Sequence, residues 1–226
     1  MDLVKEKRSK MQTNQLIARN VSKIISNKTI LNDISLDLSG GKVYGLVGEN
    51  GSGKTMLFRV LCGLVKPTFG TVLLNNNNIH KKIGNLNIGV IIENSLLWPD
   101  MSGWENLYFL STLTHRIRRD EIDAVLERVG LDPSNQLPIR KYSLGMKQRL
   151  LVAQAVMEKP DFLFLDEPTN TIDKEGSELI RKIVLEEADR GAVVLMASHI
   201  SQDISSLCDG VYYMKDGCIH ENEVRR

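Results

Sequence analysis

The segment Gly48-Glu49-Asn50-Gly51-Ser52-Gly53-Lys54-Thr55 constrains the fold of this chain more than any other stretch. It fits G-x-x-x-x-G-K-[ST], follows the apolar run 43–47 and precedes a helical stretch, 54–64. Glycines at this spacing let backbone N–H groups curl round phosphate oxygens, and the helix that opens at the end of the loop adds its positive pole. In such a loop Lys54 reaches the β- and γ-phosphates and the Thr55 hydroxyl helps to hold Mg²⁺. Gly48 to Thr55, with Met56 behind them, are therefore the expected phosphate-contacting residues. The plain alternative is a glycine-rich turn that happens to precede a lysine; a strand before it and a helix after it argue against that.

A strand–loop–helix unit belongs in an α/β chain whose strands form a largely parallel sheet. Further β-rich apolar runs predict strands at 71–74, 88–92, 162–165, 193–197 and 211–214. Asp216-Gly217 predicts a tight turn into a last strand from Cys218. Runs 43–47 and 162–165 are apolar nearly throughout, as in central strands covered on both faces. Residues 100–160 differ. Ile122, Val125, Leu126 and Val129 recur at helical spacing, and that helix ends at Gly130 with Pro133 beyond. A second helix is expected from 144 to 158, and no strand candidate lies between Trp104 and Pro160. The pattern predicts a helical subdomain, about 100–160, inserted into one α/β domain spanning 16–226, after a basic polar tail, 1–15. Asn75 to Asn78 reads as a polar turn after a strand.

Composition narrows the setting. Of the 226 residues, 42% are hydrophobic and 25% charged, and 29 basic against 28 acidic side chains leave a net +1. No global field draws such a chain to nucleic acid or anionic lipid. No uninterrupted apolar run approaches the roughly 18 residues of a membrane span. Residues 1–15 lack the apolar stretch of a secretory signal, and Cys62, Cys208 and Cys218 are odd in number and widely spaced, which argues against a disulfide framework or zinc site. A cytoplasmic protein without a nucleic-acid partner is the expectation. The basic run from Lys5 to Lys10 is either a solvated tail or a contact to lipid head groups or a membrane partner.

Two further segments carry chemistry. An apolar strand that delivers Asp166-Glu167 to its carboxyl end sets Asp166 beside a metal at the sheet edge and Glu167 where it can polarise a water as general base. By itself the pattern also describes a strand meeting solvent; downstream of a phosphate loop it becomes specific. His199 leaves the end of run 193–197 and is either a structural hydrogen-bonding residue or a contact to a γ-phosphate.

Tyr142-Ser143-Leu144-Gly145-Met146-Lys147-Gln148-Arg149 opens a helix about 20 residues before Asp166. It resembles the signature motif of ATP-binding-cassette (ABC) ATPases, usually written L-S-G-G-Q. With Gly48 to Thr55, Asp166-Glu167, Thr169 to Asp173 and His199 in order, the resemblance covers residues 18–219. It implies a P-loop NTPase core with a parallel-rich sheet, an antiparallel β portion near the N-terminus and an inserted helical subdomain. It also implies that two cassettes, alike or different, pack head to tail around ATP and Mg²⁺. Ser143 and Gly145 match positions that contact the γ-phosphate held by the other cassette, and Asp173 matches one that crosses the interface.

Three departures stand out. Glu93 occupies the lid position where glutamine usually contacts Mg²⁺; a carboxylate can still ligate a hard cation. Leu144 and Met146 replace the first glycine and the glutamine of the signature. The aromatic that usually stacks on adenine falls near Ile25, so Ile24-Ile25 offer apolar contact without a ring. Glu93 and the form Y-S-L-G-M-K-Q-R-L resemble cassettes of bacitracin- and lantibiotic-resistance exporters. The resemblance implies an ATPase subunit on the cytoplasmic face of the membrane that powers export of a drug or peptide antibiotic through a separate permease. The permease would dock along Glu93 to Trp104, on Leu96, Leu97, Trp98 and Met101, unless both tryptophans fill the core instead. The rival reading is a soluble ABC ATPase, an assembly or regulatory factor.

Overall fold

A computed structural model of the chain describes residues 14–81, 87–92, 97–170 and 172–224. The expected tail, Glu93 and Leu96 lie largely or wholly outside these residues. Asn14 is already tied down, its amide donating to the Gly191 carbonyl at 3.0 Å.

Two sheets build the molecule. Strands β1 (Gln15–Ile25) and β2 (Lys28–Ser39) form a hairpin whose turn residues Ser26 and Asn27 both take positive φ, 48° and 63°, the twist that suits a two-residue turn. Strands β3 (Lys42–Val47), β4 (Phe69–Leu74), β5 (Asn77–Asn78) and β6 (Ile88–Ile91) follow. One antiparallel sheet has the order β2-β1-β4-β5 among the described residues. The strand expected at 71–74 is thus β4 of this sheet and not a member of the parallel one. Asn75 and Asn76 make the expected polar turn, but Asn77 and Asn78 pair back onto Leu74 and Leu73 as β5.

The second sheet adds β7 (Phe162–Asp166), β8 (Val193–Ala197), β9 (Gly210–Lys215) and β10 (Cys218–Val224) in the order β10-β9-β3-β8-β7-β6. All its neighbours are parallel except the β9–β10 hairpin, which turns at Asp216-Gly217. Along β7 the side chains alternate between two fully buried cores. Phe162 and Phe164 face α1 (Lys54–Leu61) and the antiparallel sheet, packing with Leu57, Phe58 and Leu16. Leu163 and Leu165 face the opposite layer, with Leu150, Ile180 and Ile183. Each such buried side chain contributes about 1.5–3 kcal/mol, so the central strands anchor the fold.

Helices α2 (Gly103–Thr114), α3 (Arg119–Arg128) and α4 (Leu144–Val156) fill the chain between β6 and β7, where no strand occurs among the described residues. The start of α2 is a capping box: Ser102 Oγ accepts from the Glu105 N–H, and Glu105 Oε2 accepts from the Ser102 N–H at 2.7 Å. Helix α3 gives way at Gly130, whose φ is 68°. Helix α5 (Lys174–Asp189) covers β3 and β8, and the short α6 (Ser201–Leu207) precedes β9.

Candidate active site

The loop between β3 and α1 is shaped by close approach. A Cβ on Gly48 would lie 2.3 Å from the Met214 carbonyl oxygen, and Gly53, the residue before α1, has φ 109°. Both positions demand glycine. Backbone donors at the start of α1 therefore face a cavity of about 810 Å³, bounded by Lys54, Thr55, Asp166, Glu167 and Gln148. The Lys54 ammonium lies over the loop and donates to the carbonyls of Gly48 at 2.6 Å and Glu49 at 3.1 Å. Asn50, Gly51, Gly53 and Met56 also line this cavity; Ser52 is buried behind it.

Strand β7 delivers Asp166 to the floor, where its Oδ2 accepts from Thr55 Oγ1 at 2.9 Å. No cluster of three or more His, Cys, Asp or Glu side chains suited to a metal occurs among the described residues. Mg²⁺ usually takes only one or two protein oxygens beside phosphate and water, and the converging Thr55 hydroxyl and Asp166 carboxylate fit that requirement. Glu93 lies outside the described residues.

The next residue, Glu167, has φ 52°, a left-handed backbone unusual for a non-glycine residue and typical of functional turns. Its N–H donates to the Ala197 carbonyl at 2.9 Å, which locks the end of β7 to the end of β8. That register brings His199 Nδ1 to 2.8 Å from Glu167 Oε2. His199 is exposed beyond this contact. Residues 32 apart in sequence thus share one site.

The start of the signature segment stays out of this cavity. Ser143 caps α4, its Oγ accepting from the Met146 N–H at 3.1 Å. Ser143 and Leu144 are exposed, and a Cβ on Gly145 would meet nothing nearer than 4.0 Å. Neither Ser143 nor Gly145 lines the cavity of its own chain. Asp173 caps α5 through Oδ1 and the Gly176 N–H at 2.8 Å. Ile25 is exposed; the β2 side chain that lines the cavity is Ile30. Trp98 is 38% exposed with its ring edge-on to Phe109, while Trp104 stacks on Tyr108 and donates to Asp123. Trp98 therefore caps the surface of the helical layer and does not fill a core.

Two residues bear on this site through contacts that no sequence pattern predicts. Asp203, fully buried on α6, accepts from Arg181 Nε at 2.7 Å, from Ser198 Oγ at 2.9 Å and from Thr169 Oγ1. It thereby joins the segment after Glu167 to the one before His199. Gln148 on α4 donates to the carbonyls of Glu167 and Pro168. Asp203 has no local signal; Gln148 lies within the signature segment, but its contact with this turn has none, since the partners lie on other elements.

A phosphate loop, an acid at the end of the neighbouring strand but one, and a helical insertion define a P-loop nucleotide-binding cassette. Comparison with known proteins narrows the class. Residues 31–170 match the family described as ABC transporter. The chain is 44% identical over 205 residues to the uncharacterized ABC transporter ATP-binding protein YybJ of Bacillus subtilis, spanning 90% of this chain and 94% of that protein. It is 36% identical to the bacitracin transport ATP-binding protein BcrA of Enterococcus faecalis, covering 89% of this chain and 67% of BcrA. With the lantibiotic transport ATP-binding protein SrtF of Streptococcus pyogenes it shares 33% identity over 89% and 87% of the two chains. A dimeric bacterial ABC transporter cassette superposes with a TM-score of 0.86 over 93% of this chain and 99% of that one, at 22% identity. The chain belongs to the ABC transporter family, as one of its ATP-binding proteins. No helix among the described residues is long and apolar enough to cross a membrane.

Proposed function

We propose that the chain hydrolyses ATP as one of two cassettes, on the cytoplasmic face of the membrane, and drives transport through a separate permease. The observation that carries this reading is the Glu167–His199 pair, 2.8 Å apart at the edge of the phosphate-loop cavity. ATP is the substrate. Backbone N–H groups of Gly51 to Thr55 and the Lys54 ammonium bind its phosphates. Glu167 accepts the proton of the attacking water, and His199, holding the Glu167 carboxylate through Nδ1, keeps Nε2 for the γ-phosphate. Thr55 and Asp166 would hold Mg²⁺, which supplies charge neutralisation across the phosphates.

The exposed Ser143 and the half-buried Gly145, neither of which lines its own cavity, support a second cassette: they complete the site of a partner, with Asp173 at the seam. Trp98 and Phe109, exposed at one edge of the helical layer, offer the permease an apolar seat. Similarity to BcrA and SrtF supports a peptide antibiotic as the transported class, and no observation favours a soluble assembly role. The test is Glu167→Gln. It should retain ATP binding and dimerise on ATP while hydrolysis drops to near background; undiminished turnover would falsify the assignment of Glu167 as base.

A further inference from the structure

Helix α4 is engaged at three levels. Its start carries the cap Ser143 and Gly145, which do not line the chain's own cavity. One turn on, Gln148 Nε2 donates to the Glu167 carbonyl at 3.3 Å and the Pro168 carbonyl at 3.1 Å. Near its end, the Ala155 carbonyl packs so closely on β6 that a Cβ on Gly89 would lie 2.0 Å from it. At ~1.5 Å rise per residue, Gln148 sits only ~7 Å along the axis from Ser143, and Ala155 a further ~10 Å. The helix is therefore held tightly at its far end, while its near end joins the exposed tip to the catalytic segment.

The residue that receives this contact is the one in the left-handed backbone, Glu167. Its carbonyl also accepts from the Asn170 N–H at 3.2 Å, and its N–H is committed to Ala197. Among the described residues, the Gln148 amide is thus the hydrogen-bond partner of this turn that belongs to the helical layer. A displacement of the tip of α4 reaches Glu167 through that amide and no other hydrogen bond described between α4 and the turn.

We infer that Gln148 is a positioning residue that relays occupancy of the partner's site to the general base of its own. The inference rests on the two-cassette reading above. When the partner's bound nucleotide engages Ser143 and Gly145, α4 turns about its Gly89–Ala155 contact, and Gln148 sets the Glu167 carbonyl. The carboxylate and His199 move with that backbone. Each cassette then hydrolyses efficiently only when the opposite one is loaded, and ATP hydrolysis rises cooperatively with ATP.

The test compares the unsubstituted chain with Gln148→Met, which keeps the length of the side chain and removes both donors. ATP hydrolysis is measured against ATP concentration, and ATP-dependent dimerisation is followed by size exclusion in the Glu167→Gln background. The wild-type chain should show a Hill coefficient above 1. Gln148→Met should dimerise normally, keep KM within about two-fold, lose about ten-fold or more in kcat and fall to a Hill coefficient of about 1. Gln148→Asn keeps the amide but shortens its reach, and should show the same loss. Unchanged kcat and cooperativity in both variants, with dimerisation intact, overturn the inference. So does a non-cooperative wild-type dimer, or loss of the folded state in both variants, which would make the contact merely structural. If Glu167→Gln alone fails to dimerise on ATP, the two-cassette reading falls, and the relay with it.

Discussion

Substituting Asp203 by Ala removes the group that joins four elements at the catalytic edge. Its carboxylate is fully buried and Arg181, its ion-pair partner, has a side chain only 12% exposed. Truncating one member of such a pair strands the other charge, which costs about 3–5 kcal/mol. The Thr169 and Ser198 hydroxyls also lose their acceptor, a loss that water in the space vacated by the carboxylate offsets. A working figure of about 4 kcal/mol is a large share of the ~5–15 kcal/mol that holds a domain together. For a chain of this size it should lower Tm by about 8–16 °C. The assay is urea unfolding followed by tryptophan fluorescence, since Trp98 and Trp104 lie in the helical layer, on elements separate from Asp203. The midpoint should fall while the slope holds. Adding Arg181→Met to Asp203→Ala removes the stranded charge and should recover about half of the loss or more. The single variant should also hydrolyse ATP more slowly at temperatures where it is folded, because Thr169 and Ser198 flank the two segments that bring Glu167 and His199 together. A single variant costing less than about 1 kcal/mol, or a double variant no more stable than the single, would refute the reasoning.

Two smaller perturbations test the surrounding frame. The backbone N–H and hydroxyl of Ser102 hold the Glu105 carboxyl below its ordinary value of 4.5. Its folded pKa is the lower one, so the contribution is fully present above the ordinary value of 4.5 and is lost as pH falls through the folded pKa. Stability followed by thermal melts from about pH 6 down to about pH 3 should decline less steeply in Glu105→Gln, and Ser102→Ala should cost about 1 kcal/mol at neutral pH. Gly89→Ala drives a methyl into the Ala155 carbonyl and the Pro160 ring, and should cost at least about 1–3 kcal/mol in a chemical melt. A neutral effect there would mean that β6 and α4 separate easily, and α4 would then have no fixed end.

Much of this architecture is legible in the order of residues. The phosphate loop is contiguous, and its glycines are required by local backbone geometry; β3, β7 and β8 announce themselves as unbroken apolar runs. The N-terminal hairpin is harder to see, for a physical reason. Register shifts along β1 and the positive φ of Asn20 and Asp33 interrupt the two-residue alternation from which a strand is recognised. The strand at β4 was visible, but its sheet was not, because pairing partners are chosen by the whole chain.

The sequence by itself determined which chemical groups are available: a phosphate cradle, the lysine and threonine that follow it, two acids at a strand end and a histidine at another. Only the tertiary structure decided who meets whom. The parallel pairing of β7 with β8 places Glu167 against His199, and the packing of α4 and α6 brings Gln148 and Asp203 to the same edge. Short motifs encode backbone shapes that depend on neighbours in the chain. Contacts across 19, 32 or 34 positions depend on sheet order and helix packing, and no local pattern records them.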